Sequence, residues 1–318
     1  MKGDPAARGA AVGPPGLPLP LLPLRCAGAA RSSAMIRIVV DSASSITPEM
    51  AQSLGVHVIP IQVTFGEQSF LDGVNLDAPT FYERLRGSPS LPVTSQPSVG
   101  EYLDLFRELS ADGSEVLCIV LSSGLSGALV SAQTARDMLP ERSIQVFDSH
   151  GISVGETILA MAAAEMVAAG QPMAATVARL EALRARMRIF LVLDTLEYVR
   201  RGGRVSGVEA LLGTMLRIKP VVHMVEGRLT VREKVRTKAR AVERILELAE
   251  AEFGRQTPVW CGVGGADCLD EVLALEREVQ ARFNCQRLWH AEAGPTIATH
   301  GGPGVIGFAI CPVDLAER

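Results

Sequence analysis

"LCIVLSSGLSGALVSAQ", residues 117–133, runs from an apolar β-type stretch through Ser122, Ser123 and Ser126, interleaved with Gly124 and Gly127, into a helical pattern. A buried strand that hands over to a helix through a short polar turn is the repeating step of a parallel α/β sheet. The flanking sequence agrees with that reading. EVLCIVLSS (115–123) reads as the strand, GALVSAQTARDMLP (127–140) as a helix closed by proline, and SIQVFDS (143–149) as the next strand. Upstream, IRIVV (36–40) is a first buried strand ending at Asp41-Ser42, PEMAQSL (48–54) a helix, and VHVIPIQVTF (56–65) a second strand. APTFYERLRG (78–87) and VGEYLDLFRELSADG (99–113) read as helices on either side of a loop, LPVTSQPS (91–98). In such sheets ligands bind at the carboxyl ends of the strands, which is where the 122–127 turn falls.

After Ser149 the texture changes. Helical stretches at 154–169 and 172–186 lead to IFLVLDTLEYVRRGGRVSG (189–207), then to a hairpin in VVHMVEGRLTV that turns at Glu226-Gly227. A helix (237–253), the strand VWCGVGG (259–265), a helix (268–282) and strands around RLWHAE and VIGFAI complete a mixed α/β layer. A chain of 318 residues is long for one core and comfortable for two. The expected fold class is therefore α/β in two domains: a parallel α/β/α sandwich over 35–152, and a mixed sheet with helices over 153–318.

The 47% hydrophobic and 21% charged residues are those of an ordinary soluble globular protein. Residues 1–34 stand apart, rich in Ala, Gly, Pro and Leu and without period. Their apolar piece GLPLPLLPL is interrupted by prolines that oppose the helix of a secretory signal, so a disordered leader or an over-long start before Met35 is expected. The six cysteines (26, 118, 261, 268, 285 and 311) show no C-x-x-C pair and no metal spacing, which fits reduced thiols and a cytoplasmic location. Lys2, Arg8, Arg25 and Arg31 against Asp4 give the leader +3, so with −4 overall the remainder carries −7. That balance argues against nucleic acid as partner, and no apolar run is long enough for stable membrane insertion.

Two polar clusters are candidate anion donors. At 122–127 a helix N-terminus offers unpaired N–H groups, glycines permit close approach, and Ser126 adds a neutral hydroxyl; a plain N-cap explains the same residues. Thr94-Ser95-Gln96-Pro97-Ser98 is a second hydroxyl-rich helix entrance, and if the strands are parallel and adjacent it lies at the same end of the sheet. His300, in ATHGGPGVIG, stands on what reads as an exposed glycine-proline turn, where a functional role competes with a structural one. Arg200, Arg201 and Arg204, and Arg232 to Arg240, form basic patches that a solvated face would also explain. Familiar enzyme motifs fail on spacing. SGLSG is not G-x-S-x-G, there is no G-x-x-x-x-G-K-[ST], and GVGG (262–265) lacks the rest of a dinucleotide fingerprint.

VVDSASSIT, VTSQPSVGEY, SSGLSGALVSAQ, FDS, LEYVRRGGRVSG, KVRT and HGGPGVIG, in this order, resemble the DegV family, the fatty-acid-binding subunits of bacterial fatty acid kinase. The resemblance spans 36 to about 310 and implies a DegV-like pair of domains with a long-chain acyl tail, such as palmitate, between them. Carried onto matching positions, it implies a carboxylate held by Thr94 and Ser126. His300, Ser95, Arg204 and Arg236 would lie near the headgroup or dock an ATP-binding kinase subunit. It further implies no catalytic residue, no metal and no cofactor in this chain. Ala128 and Ala43 depart from the threonines usual in the family, which touches headgroup bonding without removing either proposed donor. Two other readings stay open: a serine hydrolase using Ser126, His300 and an acid such as Asp148, and a small-phosphate or nucleotide-binding module.

Overall fold

The computed structural model describes residues 35–206 and 218–313; the leader 1–34 lies outside the described residues. From β1 (Ile36–Asp41) the chain passes through α1 (Pro48–Leu54) to β2 (Val56–Ile59), then to β3 (Gln62–Phe65) and β4 (Gln68–Leu71). It continues as α2 (Ala78–Gly87), β5 (Val93–Ser95), α3 (Val99–Leu109), β6 (Glu115–Val120), α4 (Ala128–Asp137) and β7 (Ile144–Asp148). Among these strands β2-β1-β6-β7 form a parallel sheet, as the strand-turn-helix step requires.

Two expectations need correction. VHVIPIQVTF is not one strand: it breaks after Ile59 at Pro60, which has no N–H for a ladder, so β2 joins the parallel sheet and β3 a separate antiparallel one. LPVTSQPS is not wholly loop either. Its centre is β5, which pairs antiparallel with β3 at Val63↔Thr94. Thr94 therefore comes from the small β4-β3-β5 sheet and not from the end of a parallel strand.

The second half begins with α5 (Val154–Ala168) and α6 (Met173–Arg186) and continues through β8 (Arg188–Val192), α7 (Glu197–Gly202) and β9 (Val205–Ser206). The hairpin β10 (Lys219–Val225) and β11 (Arg228–Val235) is followed by α8 (Lys238–Phe253), β12 (Pro258–Gly265), α9 (Leu269–Arg282), β13 (Asn284–Glu292), α10 (Pro295–Gly301) and β14 (Ile306–Pro312). These strands form one mixed sheet in the order β13-β12-β14-β8-β10-β11-β9. Glu226 and Gly227, both at positive φ between the paired Val225 and Arg228, make the two-residue turn read from the sequence.

Helix α5 joins the two sheets. A surface helix would show one apolar stripe, but residues 154–164 are buried all round. One side packs with Ile38, Val40 and Leu117 of the parallel sheet, the other with Ile189, Ala309 and Cys311 of the mixed sheet. The opposite face of the parallel sheet, Val39, Val116 and Cys118, is buried in one cluster with Tyr102 and Phe106 of α3 and Ala132 and Ala135 of α4. Helices α8 and α9 cover the far face of the mixed sheet. Five described cysteines, 118, 261, 268, 285 and 311, are free thiols.

Candidate functional site

Each small residue of the 122–127 turn has its own task. Ser122 is fully buried and its Oγ donates to the Gly227 carbonyl at 2.5 Å, so the β10–β11 hairpin is fastened onto the turn. Gly124 makes that possible, because a Cβ there would run into the same carbonyl oxygen. The Ser123 N–H donates to Asp148 at the end of β7 (3.1 Å). Gly127 leaves room for the Gln96 amide, which brings the TSQPS segment against the turn. Ser126 is not the N-cap of α4; Gly127 is. The Ser126 Oγ accepts the Ala128 N–H (3.2 Å), which keeps its own proton free to donate. Gly124→Ala is expected to push the hairpin off the turn and cost about 1–3 kcal/mol. Urea denaturation measures it, and an unchanged midpoint would show that the contact holds nothing.

Thr94 sits at the centre of β5, with its Oγ1 2.8 Å from the His300 Nε2. The expected exposed turn at His300 is corrected here: the residue lies in the last turn of α10. That helix is anchored by Asp72, whose carboxylate accepts the Thr296 N–H and the Ser42 hydroxyl, each at 3.1 Å. Burial, with Arg204 as a second cause, pushes the His300 imidazole down to about 4, so the ring is neutral near pH 7. Its Nδ1 is buried without a partner and covered by Gly202, where a Cβ would collide with it.

These residues surround one cavity of about 1080 Å³, counted with its open mouth. Thr94, Gln96, Ser126, Ser153, Arg204, Thr296 and His300 are its polar lining residues, and Leu121, Leu125, Ile189, Leu191, Val205 and Phe308 are among the apolar ones. Arg204 is the one charged residue among the described residues that line it. Its guanidinium donates to the carbonyls of Leu125 (3.3 Å) and Gly202 (2.5 Å), tying two turns together. Ser95 and Arg236 are exposed and do not line the cavity: Ser95 follows Thr94 on the alternating strand, and Arg236 lies just beyond β11. The serines of DSASS are not in the lining. Ser42 holds Asp72 and the Ile61 N–H, and Ser45 meets Ser153 before α5.

The hydrolase constellation does not assemble. A triad needs a carboxylate on the histidine's second nitrogen. Here Asp148 is engaged by the N–H groups of Ser123 and His150, while His300 turns its Nε2 to Thr94. No group of three or more metal-ligating side chains occurs among the described residues, and none of their helices is long and apolar enough to cross a membrane.

Comparison with known proteins gives a consistent result. The family described as "Uncharacterised protein, DegV family" matches residues 35–313. Protein DegV of Bacillus subtilis (strain 168) is 32% identical over 277 residues, covering 87% of this chain and 99% of its own. A structure described as fatty acid binding of a DegV family protein from Thermus thermophilus superposes with a TM-score of 0.83 at 31% identity, covering 88% of this chain and 100% of that one. A stearic acid-binding protein from Eubacterium ventriosum gives 0.81 at 28% identity, with 87% and 98% covered. The parallel sheet, the mixed sheet and the cavity lined by both halves all fall within the matched residues, and this chain belongs to the DegV family.

Proposed function

We propose that this chain binds a long-chain fatty acid in the cavity, its carboxylate at Thr94 and Ser126, and presents that carboxylate in the cytoplasm to a separate ATP-binding kinase subunit, which forms the acyl phosphate. The observation that carries the reading is the composition of one cavity: neutral hydroxyls, a neutral imidazole and one arginine at its polar part, apolar side chains elsewhere, and no carboxylate among the lining residues. An amphiphile with one negative head fits that lining. A DegV family protein of Thermus thermophilus binds fatty acid, and a similar protein of Eubacterium ventriosum binds stearic acid.

A tail of about fifteen methylenes, at roughly 0.8 kcal/mol each, supplies on the order of 10 kcal/mol before ordering costs. The headgroup bonds add roughly 1.5–3 kcal/mol apiece and mainly orient the acid. In the tautomer of His300 that carries its proton on Nε2, the ring donates to Thr94 Oγ1 and leaves the threonine proton for the ligand, and Ser126 offers a second. Neither donor neutralises the carboxylate in an ion pair, so it keeps its nucleophilicity toward a phosphoryl group. Catalysis then belongs to the kinase subunit, and this chain works without a cofactor.

Mass spectrometry of lipid extracted from the purified chain tests the first half. Ser126→Ala tests the second: lipid is expected to be retained, while acyl phosphate formation with the kinase subunit falls roughly 10- to 100-fold. Loss of all bound lipid in that variant would contradict the division of labour between tail and head.

A further inference from the structure

A second cavity, of about 1200 Å³ counted with its open mouth, lies between the end of α6, β8 and the β10–β11 hairpin, and shares only Ile189 with the first. Its charged lining is Arg184, Arg188 and Arg232 against Glu226 and Glu252, with His150 and His223 beside them. Arg188 is paired with Glu252 (2.7 Å). The other two arginines have no carboxylate partner among the described residues. Arg184 donates to the Asp148 carbonyl (2.7 Å) with its guanidinium over the Phe147 ring, and Arg232 lies 3.3 Å from the His223 Nδ1.

Three arginines on and beside α8 and α9 are paired with carboxylates. Arg244 meets Glu233 and Glu247, Arg282 meets Glu243 and Glu278, and Arg255 meets Glu250. A guanidinium has five N–H donors in a planar fork, so Arg184 and Arg232 each keep donors to spare beside a concave wall. Burial first, then Arg232 and Arg188, holds His223 below the usual imidazole range against the opposing charge of Glu252, so the ring is a neutral acceptor near pH 7. His150 adds a backbone at positive φ, with its ring against the Gly227 turn and 3.5 Å from the Asp148 carboxylate.

We propose that this second cavity is a binding site for a soluble molecule carrying a di- or triphosphate, with Arg184 and Arg232 as its guanidinium donors. Two forked donors match phosphate oxygens, and the space exceeds what one phosphate ion fills. Gly227, whose carbonyl accepts the hydrogen bond of the Ser122 hydroxyl, forms part of the wall, so an occupant touches the hairpin that braces the Ser126 turn. The inference does not depend on the lipid reading.

Isothermal titration of the full-length chain with pyrophosphate tests it. Saturable binding with a dissociation constant on the order of 0.1 mM is expected. Arg232→Gln should weaken it by about tenfold, with Arg232→Lys, which keeps the charge without the fork, in between. Arg232 is exposed, so both variants should fold, which melting curves check. ATP serves as the second probe. Tighter binding than pyrophosphate assigns the rest of the cavity to a nucleoside, and equal binding confines recognition to phosphates; either supports the proposal. No saturable binding of either probe overturns it, as does binding that Arg204→Gln abolishes and Arg232→Gln leaves intact, since the anion would then occupy the first cavity.

Discussion

Gly264→Leu is expected to abolish retention of acyl chains of palmitate length, while Gly264→Ala leaves the protein folded and favours slightly shorter chains. Gly264 lies in β12 between Ala291 of β13 and Gly307 of β14, and lines the fatty-acid cavity. A Cβ there would find Ser153 Oγ at 3.4 Å and Val154 Cγ1 at 3.6 Å, both ordinary contacts with other lining residues. Neighbouring glycines behave differently. At Gly265 a Cβ would collide with Val272, and at Gly307 with the Phe190 carbonyl, so those positions are closed by packing. Gly264 is thus a place where volume can be added at the expense of the cavity and not of the sheet. A leucine side chain takes the space of about four methylenes, which at roughly 0.8 kcal/mol each is about 3 kcal/mol, or some two powers of ten in retention. The readout is the chain-length profile of lipid extracted from wild type, Gly264→Ala and Gly264→Leu, with melting curves to show that the sheet survives. An identical profile in all three would remove the acyl tail from this cavity.

Glycine at 264 carries no such signal in the sequence, and that marks where sequence reading stops. Local steps are legible because they rest on local chemistry. The strand-turn-helix around 117–133, the buried strands 36–40 and 143–149, and the Glu226-Gly227 hairpin each follow from apolar runs bounded by special backbone residues. Thr94, Ser126 and His300 come from motifs far apart in the chain, and the structure brings all three to one lining. What failed was long-range or cooperative. Pro60 splits one apolar run between two sheets, and β5 becomes a strand only because β3 is there to pair with it. His300 sits among glycines that resemble a surface turn, yet Asp72 anchors its helix from more than two hundred residues upstream and Gly202 closes over the ring. Gln96 and Gly127 explain each other only in three dimensions. Glu156 gave no sign at all, because a glutamate in the first turn of an Ala-rich helix reads as its solvent face.

That glutamate carries the other large expected effect. It stands in the first turn of α5, fully buried between the two sheets, and neither carboxylate oxygen has a hydrogen-bond partner. Burial first, then the Asp41 charge, raises its pKa well above the usual range, and the facing Asp41 backbone offsets this only in part. Asp41 is also buried. It accepts the N–H groups of Ala43 (3.0 Å) and Leu121 (2.8 Å), but burial outweighs them and pushes it up to about 7. Both groups therefore hold protons in the folded chain that the unfolded chain releases. For Asp41 the window runs from 3.8 to about 7: its contribution is fully present below that range and is lost as pH rises through it, at about 1.4 kcal/mol per pH unit. Glu156 adds a second slope of the same sign above its unfolded value of 4.5. Surface acids paired with arginine, such as Glu233 and Glu243, have lowered pKa values and act in the opposite direction, losing their stabilisation as pH falls. Glu156→Gln replaces the protonated acid by a neutral group of the same shape. The variant should match wild type near pH 4, then gain on it by about 1.4 kcal/mol per pH unit from about pH 5 until the wild-type glutamate ionises in the fold. Urea denaturation at pH 4, 6 and 8 reads the difference. A variant less stable than wild type at pH 8 would mean that the ionised carboxylate has a partner the fold depends on, and that the buried acids are not the liability their surroundings make them.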